Sequence, residues 1–269
     1  MNTVLIRLPA YLQLAKLASE IPFTYRANWI FHFVSVLLQI YLLKIVWTAV
    51  YAGRGAVDGI GLDQMLTYLT LANLQWNILW PFLVEFMHDR VREGNIALDL
   101  ARPIGLVEQM LSYQVGMTAG TVPFLVLAFP LAILLGRLQL PASAEAAGWY
   151  LVSLILGYMV VVLIGLLLGL LSFWTTETSG FFTVYQFTNQ FFAGTFIPLW
   201  FFPPILRTIA QFLPFQGFAF VPVAIYLGQL TGPDRLLAIG TQLFWAFALY
   251  LAARFVWRRS LRRVVIQGG

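Results

Sequence analysis

Charged side chains that could make specific ionic contacts collect in one short stretch, residues 90–103. Only 10% of the chain is charged, and ions are costly at membrane depth, so this stretch is expected in water beside a bilayer. Gly94 and Pro103 punctuate it, which predicts a short surface helix within 89–103. A loop whose arginines only fix orientation would explain the same pattern. The ionic residues are Arg90, Arg92, Glu93, Asp99 and Arg102.

Residues suited to catalysis or metal binding are scarce. His32 and His88 are the two histidines, and neither has a neighbour at metal-ligand spacing. The chain has no cysteine and no G-x-x-x-x-G-K-[ST] phosphate loop. It also lacks a plausible Ser-His or paired-carboxylate site. We therefore expect no enzyme activity, cofactor or metal in this chain. If the protein moves something uphill, the energy comes from another subunit.

The elements that must position these residues are membrane helices. A chain that is 60% hydrophobic, with a mean hydropathy of +0.82, indicates an all-α integral membrane protein. Since a crossing takes about 20 apolar residues, 269 residues allow about six spans in a single domain, 1–269. The predicted elements are an amphipathic helix at 4–21, spans at 29–51, 62–86, 110–135, 148–171, 181–197 and 236–257, and two short helices within 198–228.

Amides interrupt two of these spans. Asn73, Asn77 and Trp80 share one face of the second span. Because an amide facing lipid is expensive, that face should meet either a neighbouring helix or a wet pathway. The fifth span mixes aromatic and amide side chains, which favours core packing or a pocket. Its marked residues are Phe182, Tyr185, Gln186, Asn189 and Phe192.

Glycines and prolines predict two further features. Gly165 and Gly169 form a G-x-x-x-G strip that would let another helix approach closely. Pro198, Pro203 and Pro214 break an apolar region into half-length helices, which is typical of a re-entrant hairpin.

The basic residues predict an orientation. With both termini cytoplasmic, eleven of the sixteen Lys and Arg residues lie on the inner side. Arg54, Arg137, Arg207 and Arg235 lie outside, and Lys44 falls within the first span. A seventh span would reverse the arginines at the end of the chain.

These motifs have a family likeness. The chain resembles, over nearly its whole length, the six-span permeases of ATP-binding-cassette exporters of the ABC-2 type, in the bacterial subfamily that pairs two related permeases with one ATPase. It departs from the family pattern at Ala97 and Ala101, where acidic or leucine-type residues are commoner. The likeness is carried by Arg92-x-Gly94 through Asp99-x-x-Arg102-Pro103, Ser172-Phe173-Trp174, Ile197-Pro198-Leu199 through Phe202-Pro203, Leu213-Pro214-Phe215 with Val221-Pro222, and Gln267-Gly268-Gly269.

The resemblance implies a role for each element. Residues 4–21 become an elbow helix, 89–103 a coupling helix seated in the ATPase, and 198–228 external re-entrant helices. The implied coupling residues are Arg90, Arg92, Glu93, Gly94, Asp99, Arg102, Pro103 and Glu177. The implied substrate path, at a permease dimer interface, comprises Asn73, Asn77, Trp80, Phe182, Tyr185, Gln186, Asn189 and Phe192.

The resemblance also implies partners and a location. The partners are ABC ATPase subunits carrying MgATP, a second permease (a related paralogue or an identical copy) and membrane lipid, with no nucleic acid. The location is the bacterial cytoplasmic (inner) membrane. Aromatic walls with few charges favour an apolar, aromatic or cationic organic substrate, and lipids fit equally. An ATP-independent channel or scaffold, or a lipid-modifying membrane enzyme, are the alternatives.

Overall fold

The structure, a computed structural model, describes residues 2–175 and 179–267. Apart from a short hairpin of two antiparallel strands, β1 Ala56–Val57 and β2 Ile60–Gly61, the regular elements described are helical. The α-helices are α1 Asn2–Thr24, α2 Arg26–Val50, α3 Leu62–Ile78, α4 Leu83–Arg92, α5 Ile96–Ala101, α6 Leu106–Gly136, α7 Ala144–Leu170, α8 Ser179–Phe192, α9 Pro204–Phe212, α10 Phe220–Tyr226 and α11 Gly232–Gln267.

Four of the described helices are long and apolar enough to cross a membrane. They comprise Arg26–Val50, Leu106–Leu127, Ala144–Phe173 and Gly232–Ser260. The predicted second and fifth spans are shorter helices, α3 with 17 residues and α8 with 14. The helix of the second span stops before Pro81, because proline disfavours a helical conformation in the residue before it and offers no N–H. The chain is thus an all-helical membrane protein, and the count of six crossings stays a prediction.

The helix ends gather into two groups. At the loop end, the segments 51–61, 137–143 and 226–235 meet: the Ala142 amide donates to the Tyr226 carbonyl over 3.0 Å, and Arg235 pairs with Glu145 over 2.6 Å. At the charged end, α4, α5 and the start of α6 pack against residues 171–173. Consecutive long helices therefore run between these two ends.

The first helix packs lengthwise along α6. A Cβ at Gly116 would collide with the Ala15 carbonyl, and one at Gly120 with the Ser19 carbonyl, so glycine lets the two backbones meet there. Ala18 is buried in this contact. The predicted 4–21 boundary is short of the observed one, because α1 continues through Pro22 to Thr24. Its placement flat on a membrane stays a prediction.

Residues 198–228 form two short helices, α9 and α10, joined by a turn at Pro214–Gly217. Gln242 of α11 fixes this turn beside the middle of α7: its Nε2 donates to the Gly217 carbonyl over 2.9 Å and to the Ser153 carbonyl over 3.1 Å. Its Oε1 accepts from the Ser153 hydroxyl over 3.0 Å. From the turn, α10 returns buried to the loop end. That the breaks at Pro198, Pro203 and Pro214 form a re-entrant hairpin in a membrane stays a prediction.

Candidate coupling surface and substrate cavities

The charged stretch is divided by a glycine turn. The prediction of one helix over 89–103 is wrong in that respect, because α4 ends at Arg92 and α5 begins at Ile96. Gly94 between them has φ +76°, a left-handed conformation that costs a residue with a Cβ about 1–2 kcal/mol. No atom lies within 4 Å of the position a Cβ would take there. The constraint at Gly94 is therefore conformational, and contact with neighbours plays no part.

An ion pair closes this turn. Arg90 donates to both oxygens of Asp99, from Nε over 2.6 Å and from Nη2 over 2.7 Å. The Asp99 side chain is 2% exposed. Hydrogen bonding to this carboxylate raises the pKa of the Arg90 guanidinium. A bidentate, nearly buried pair of this kind fixes geometry as well as charge, so α5 is fastened to α4.

A second set of bonds fastens α5 to α6. Arg102 lies 3.5 Å from the Asp99 carboxylate and donates to Gln109 Oε1 over 3.1 Å. Gln109 in turn donates to the Asp99 carbonyl over 2.9 Å and to the Ile104 carbonyl over 3.2 Å. The charged segment is therefore a cross-braced unit built on three helices, which we name the coupling unit, residues 83–109.

The outer face of the coupling unit consists of different residues. Arg92, Glu93 and Pro103 are exposed, and Leu98 is 64% exposed beside Ala97 and Ala101. An exposed leucine flanked by alanines and charges offers a small apolar contact inside an ionic rim. Of the sequence-predicted coupling residues, Arg92 and Glu93 thus face outward, whereas Arg90 and Asp99 pair with each other.

The Ser172-Phe173-Trp174 motif borders the same face. It lines a cavity of about 180 Å³ together with His88, Val91 and Arg92 of α4. Phe173 is buried and Trp174 is 38% exposed. The Ser172 hydroxyl is buried without a hydrogen-bond partner among residues 2–175 and 179–267. Glu177, predicted to join this surface, lies outside the described residues.

The glycine strip of α7 receives α4. A Cβ at Gly165 would lie 2.8 Å from Cβ of Pro81, and one at Gly169 would lie 3.2 Å from Cβ of Met87. The sequence does not specify which helix packs on this strip. In the structure it is α4, the first helix of the coupling unit. The coupling unit and the long helix α7 are therefore in direct contact along this strip.

The amides of α3 bond mainly within their own helix. Asn73 Nδ2 donates to the Leu69 carbonyl over 2.8 Å, and Asn77 Nδ2 donates to the Asn73 carbonyl over 2.8 Å. The Asn77 Oδ1 also meets Nε2 of His32 on α2. Asn73 is buried, whereas Asn77 reaches a cavity. The predicted shared face is therefore split between the protein core and open space.

The predicted residues of the fifth span form an aromatic column with Trp80. The Trp80 and Phe182 rings lie 5.7 Å apart edge to face, and the Phe182 and Tyr185 rings 6.1 Å apart. Asn189 donates to the Tyr185 hydroxyl over 3.3 Å. Phe192 continues the column by stacking on Phe215 at 6.4 Å. The column is closed in this conformation, with no room for water between α3 and α8.

Open space lies on either side of Glu85. A cavity of about 350 Å³ contains Phe182, Gln186 and Glu85. A larger one, of about 480 Å³, lies between the α1–α2 junction and the α3–α4 junction and again contains Glu85. Its aromatic walls are Tyr25, Trp29, Trp80 and Phe82, and its polar residues are Asn28, His32, Asn77 and Glu85.

Sequence reasoning missed six residues of this larger cavity: Tyr25, Asn28, Trp29, His32, Phe82 and Glu85. A signal was present in the sequence. Glu85 is an acidic residue near the end of the second predicted span, between Phe82 and Phe86, and a carboxylate at a span end beside aromatic residues is a candidate ligand-binding group.

The described residues form a helical membrane protein with a braced, charged segment at one end and two cavities beside Glu85. The family model described as ABC-2 family transporter protein matches residues 4–268, so the chain belongs to the ABC-2 transporter family. It is a permease component of an ABC transporter, whose ATPase activity resides in separate subunits. The comparison with curated proteins gives no match, and the assignment rests on the family model.

Proposed function

We propose that this chain is the permease of an ATP-driven exporter, which moves an apolar, aromatic or cationic organic compound or a lipid outward through the interface of two permeases. The observation that carries the proposal is the coupling unit. It presents Arg92, Glu93 and Leu98 outward and is braced internally by the Arg90–Asp99 pair.

The bracing explains how force would travel. The Arg90–Asp99 pair ties α5 to α4, the Gln109 bonds tie it to α6, and the glycine strip holds α4 against α7. A push by a closing ATPase on Leu98 of α5 would therefore move α4, α6 and α7 together with α5. Packed helices of this kind respond as rigid bodies, since a close-packed interface deforms little.

The charge distribution supports a cytoplasmic position for the charged end and for both termini. Arg90, Arg92 and Arg102 belong to the coupling unit, whereas Arg137 and Arg235 lie at the loop end beside Asp63 and Glu145. The assignment of eleven of the sixteen Lys and Arg residues to the charged end and the termini is the bias found at cytoplasmic faces generally. The bacterial inner membrane is the location this proposal implies.

A second permease would complete the substrate path. Outward-facing side chains of α8 remain uncovered in the single chain: Phe181 is 57% exposed, Val184 66% and Phe187 69%. Lipid or a second permease, either a related paralogue or an identical copy, would cover them. With the second subunit in place, the aromatic column of Trp80, Phe182 and Tyr185 lies next to the subunit interface.

Co-purification with an ABC ATPase tests the proposal. A tagged permease is expressed with the ABC ATPase encoded nearest to it, and the ATPase recovered per permease is measured. Arg92→Glu should lower recovery at least about fivefold, because reversing a charge at an interface brings like charges together. Arg137→Glu, the same change in charge at the loop end, serves as the control. Failure of the unaltered permease to recover any ATPase would favour the channel or scaffold alternative.

A further inference from the structure

The larger of the two cavities beside Glu85 has lining residues that favour one class of ligand, whereas the aromatic column is closed. Its volume of about 480 Å³ is in the range of small-molecule sites, about 300–1,000 Å³. It opens beside the α1–α2 junction, on the opposite side of Trp80 from α8. A molecule could therefore occupy it while the contact between α3 and α8 stays closed.

Aromatic rings line this cavity at mutually steep angles. Trp29 lies 6.0 Å from Phe82 with the rings at 58°, and 5.6 Å from His32 with the rings at 81°. Trp80 adds a further indole. Rings in such arrangements offer π faces in several directions, and π faces attract cations, indole most strongly.

Glu85 supplies the charge. It is exposed to this cavity and to the neighbouring one, and within residues 2–175 and 179–267 it forms no ion pair. No lysine or arginine is among the residues lining the larger cavity. Arg26 adjoins the lining residue Tyr25 in sequence but is not itself among the lining residues, and Arg90, the basic residue nearest to Glu85 in sequence, is engaged by Asp99. The cavity therefore has a carboxylate without a countercharge.

The remaining polar groups fit a ligand that needs few hydrogen bonds. His32 and Asn77 bond to each other across α2 and α3, which uses one polar atom of each. The walls are otherwise mainly apolar or aromatic. A hydrophilic ligand would lose hydration without replacement here, whereas a delocalised cation loses little.

We propose that this cavity is a binding site for an organic cation with an aromatic or apolar body, held by Glu85 and by the rings of Trp29 and Trp80. The site admits the ligand at the charged end of the helices. Glu85 lies between this ligand and the second cavity, which contains Phe182 and Gln186. That second cavity leads to the aromatic column. That this ligand is a transported substrate rests on the proposed function, whereas binding itself does not require the ATPase.

Two ions of equal shape and opposite charge test the site. Tetraphenylphosphonium and tetraphenylborate are titrated into the purified full-length permease in detergent, with binding read from tryptophan fluorescence and corrected with empty micelles. We expect saturable binding of the cation, and binding of the borate no stronger than to the micelles. Glu85→Gln, which keeps the shape and removes the charge, should weaken cation binding about tenfold, and Trp29→Leu about fivefold.

The matched control is Glu108→Gln, an exposed carboxylate in the first turn of α6 that does not line this cavity. It should leave cation affinity unchanged. Equal binding of the two ions, or equal effects of Glu85→Gln and Glu108→Gln, would overturn the proposal. Because the assay contains no ATPase, loss of cation binding leaves the exporter proposal standing, and failed ATPase recovery leaves the cation site standing.

Discussion

Arg90 holds both carboxylate oxygens of Asp99 across the Gly94 turn, so an acid that the sequence offers to a partner protein is already neutralised within the chain. The pair converts two short helices into one rigid element. It also divides the charged stretch into internal braces and outward contacts, with Arg92 and Glu93 in the second group.

Removing the Asp99 carboxylate should destabilise the charged end. Asp99→Ala leaves the partly buried Arg90 without its partner, which typically costs about 3 kcal/mol. Thermal unfolding of Asp99→Ala, Arg90→Ala and the double variant in detergent measures the coupling of the two residues. We expect the double variant to be much less destabilised than the sum of the two single variants. Additive effects would mean that the pair contributes nothing beyond its separate parts.

The Gly94 turn should tolerate only residues that accept a positive φ. Gly94→Val is expected to lower stability by about 2 kcal/mol, because a β-branched residue is strained at φ +76°, while Gly94→Asn should cost less. Melting temperature and transport by each variant provide the measurement. Gly148→Val is the control, since a Cβ at this helical glycine also meets no atom within 4 Å. Equal losses at the two glycines would contradict the conformational explanation.

The contact between α4 and α7 should be sensitive to added volume. Gly165→Val places its Cβ 2.8 Å from that of Pro81, so α4 must shift, at a cost of about 1–3 kcal/mol. Gly240→Val, on α11 where no atom lies within 4 Å of a Cβ, should be neutral. Melting temperature and ATPase recovery should fall together for Gly165→Val. A stable Gly165→Val permease with normal ATPase recovery would show that this contact does not transmit the coupling movement.

The orientation can be tested by single-cysteine labelling, because the native chain contains no cysteine. Ala144→Cys and Gly55→Cys at the loop end should react with a membrane-impermeant maleimide in intact cells. Leu98→Cys, on the exposed face of α5, should react only after permeabilisation. The reverse pattern would place the coupling unit outside and remove the basis for an ATPase contact.

Local patterns in the sequence were sufficient for some features. The turn residue Gly94, the glycine strip and the proline-broken helices depend on intrinsic backbone preferences or on the absence of a side chain, and these can be read at single positions. The family likeness adds an expected role for the charged stretch, and this role stays a prediction.

Features that depend on distant pairing could not be predicted. Basic residues lie at several sequence separations from Asp99. The turn at Gly94 brings Arg90, rather than another of them, into the bidentate ion pair. Asn73 looked available to a neighbouring helix, yet its amide reaches the carbonyl one turn back, a local bond that competes with interhelical ones. The large cavity joins residues as far as sixty positions apart, from Tyr25 to Glu85, and no local periodicity records that contact.

The Gln242 side chain has a mechanical consequence for the turn between α9 and α10. Its amide is engaged by Ser153 of α7 and by the Gly217 carbonyl at the turn between α9 and α10. This turn is thus held by hydrogen bonds against the two long helices α7 and α11. These hydrogen bonds oppose a movement of the turn that is independent of α7 and α11. Because α4 packs against the glycine strip of α7, the turn between α9 and α10 and the coupling unit are both attached to the same helix, α7.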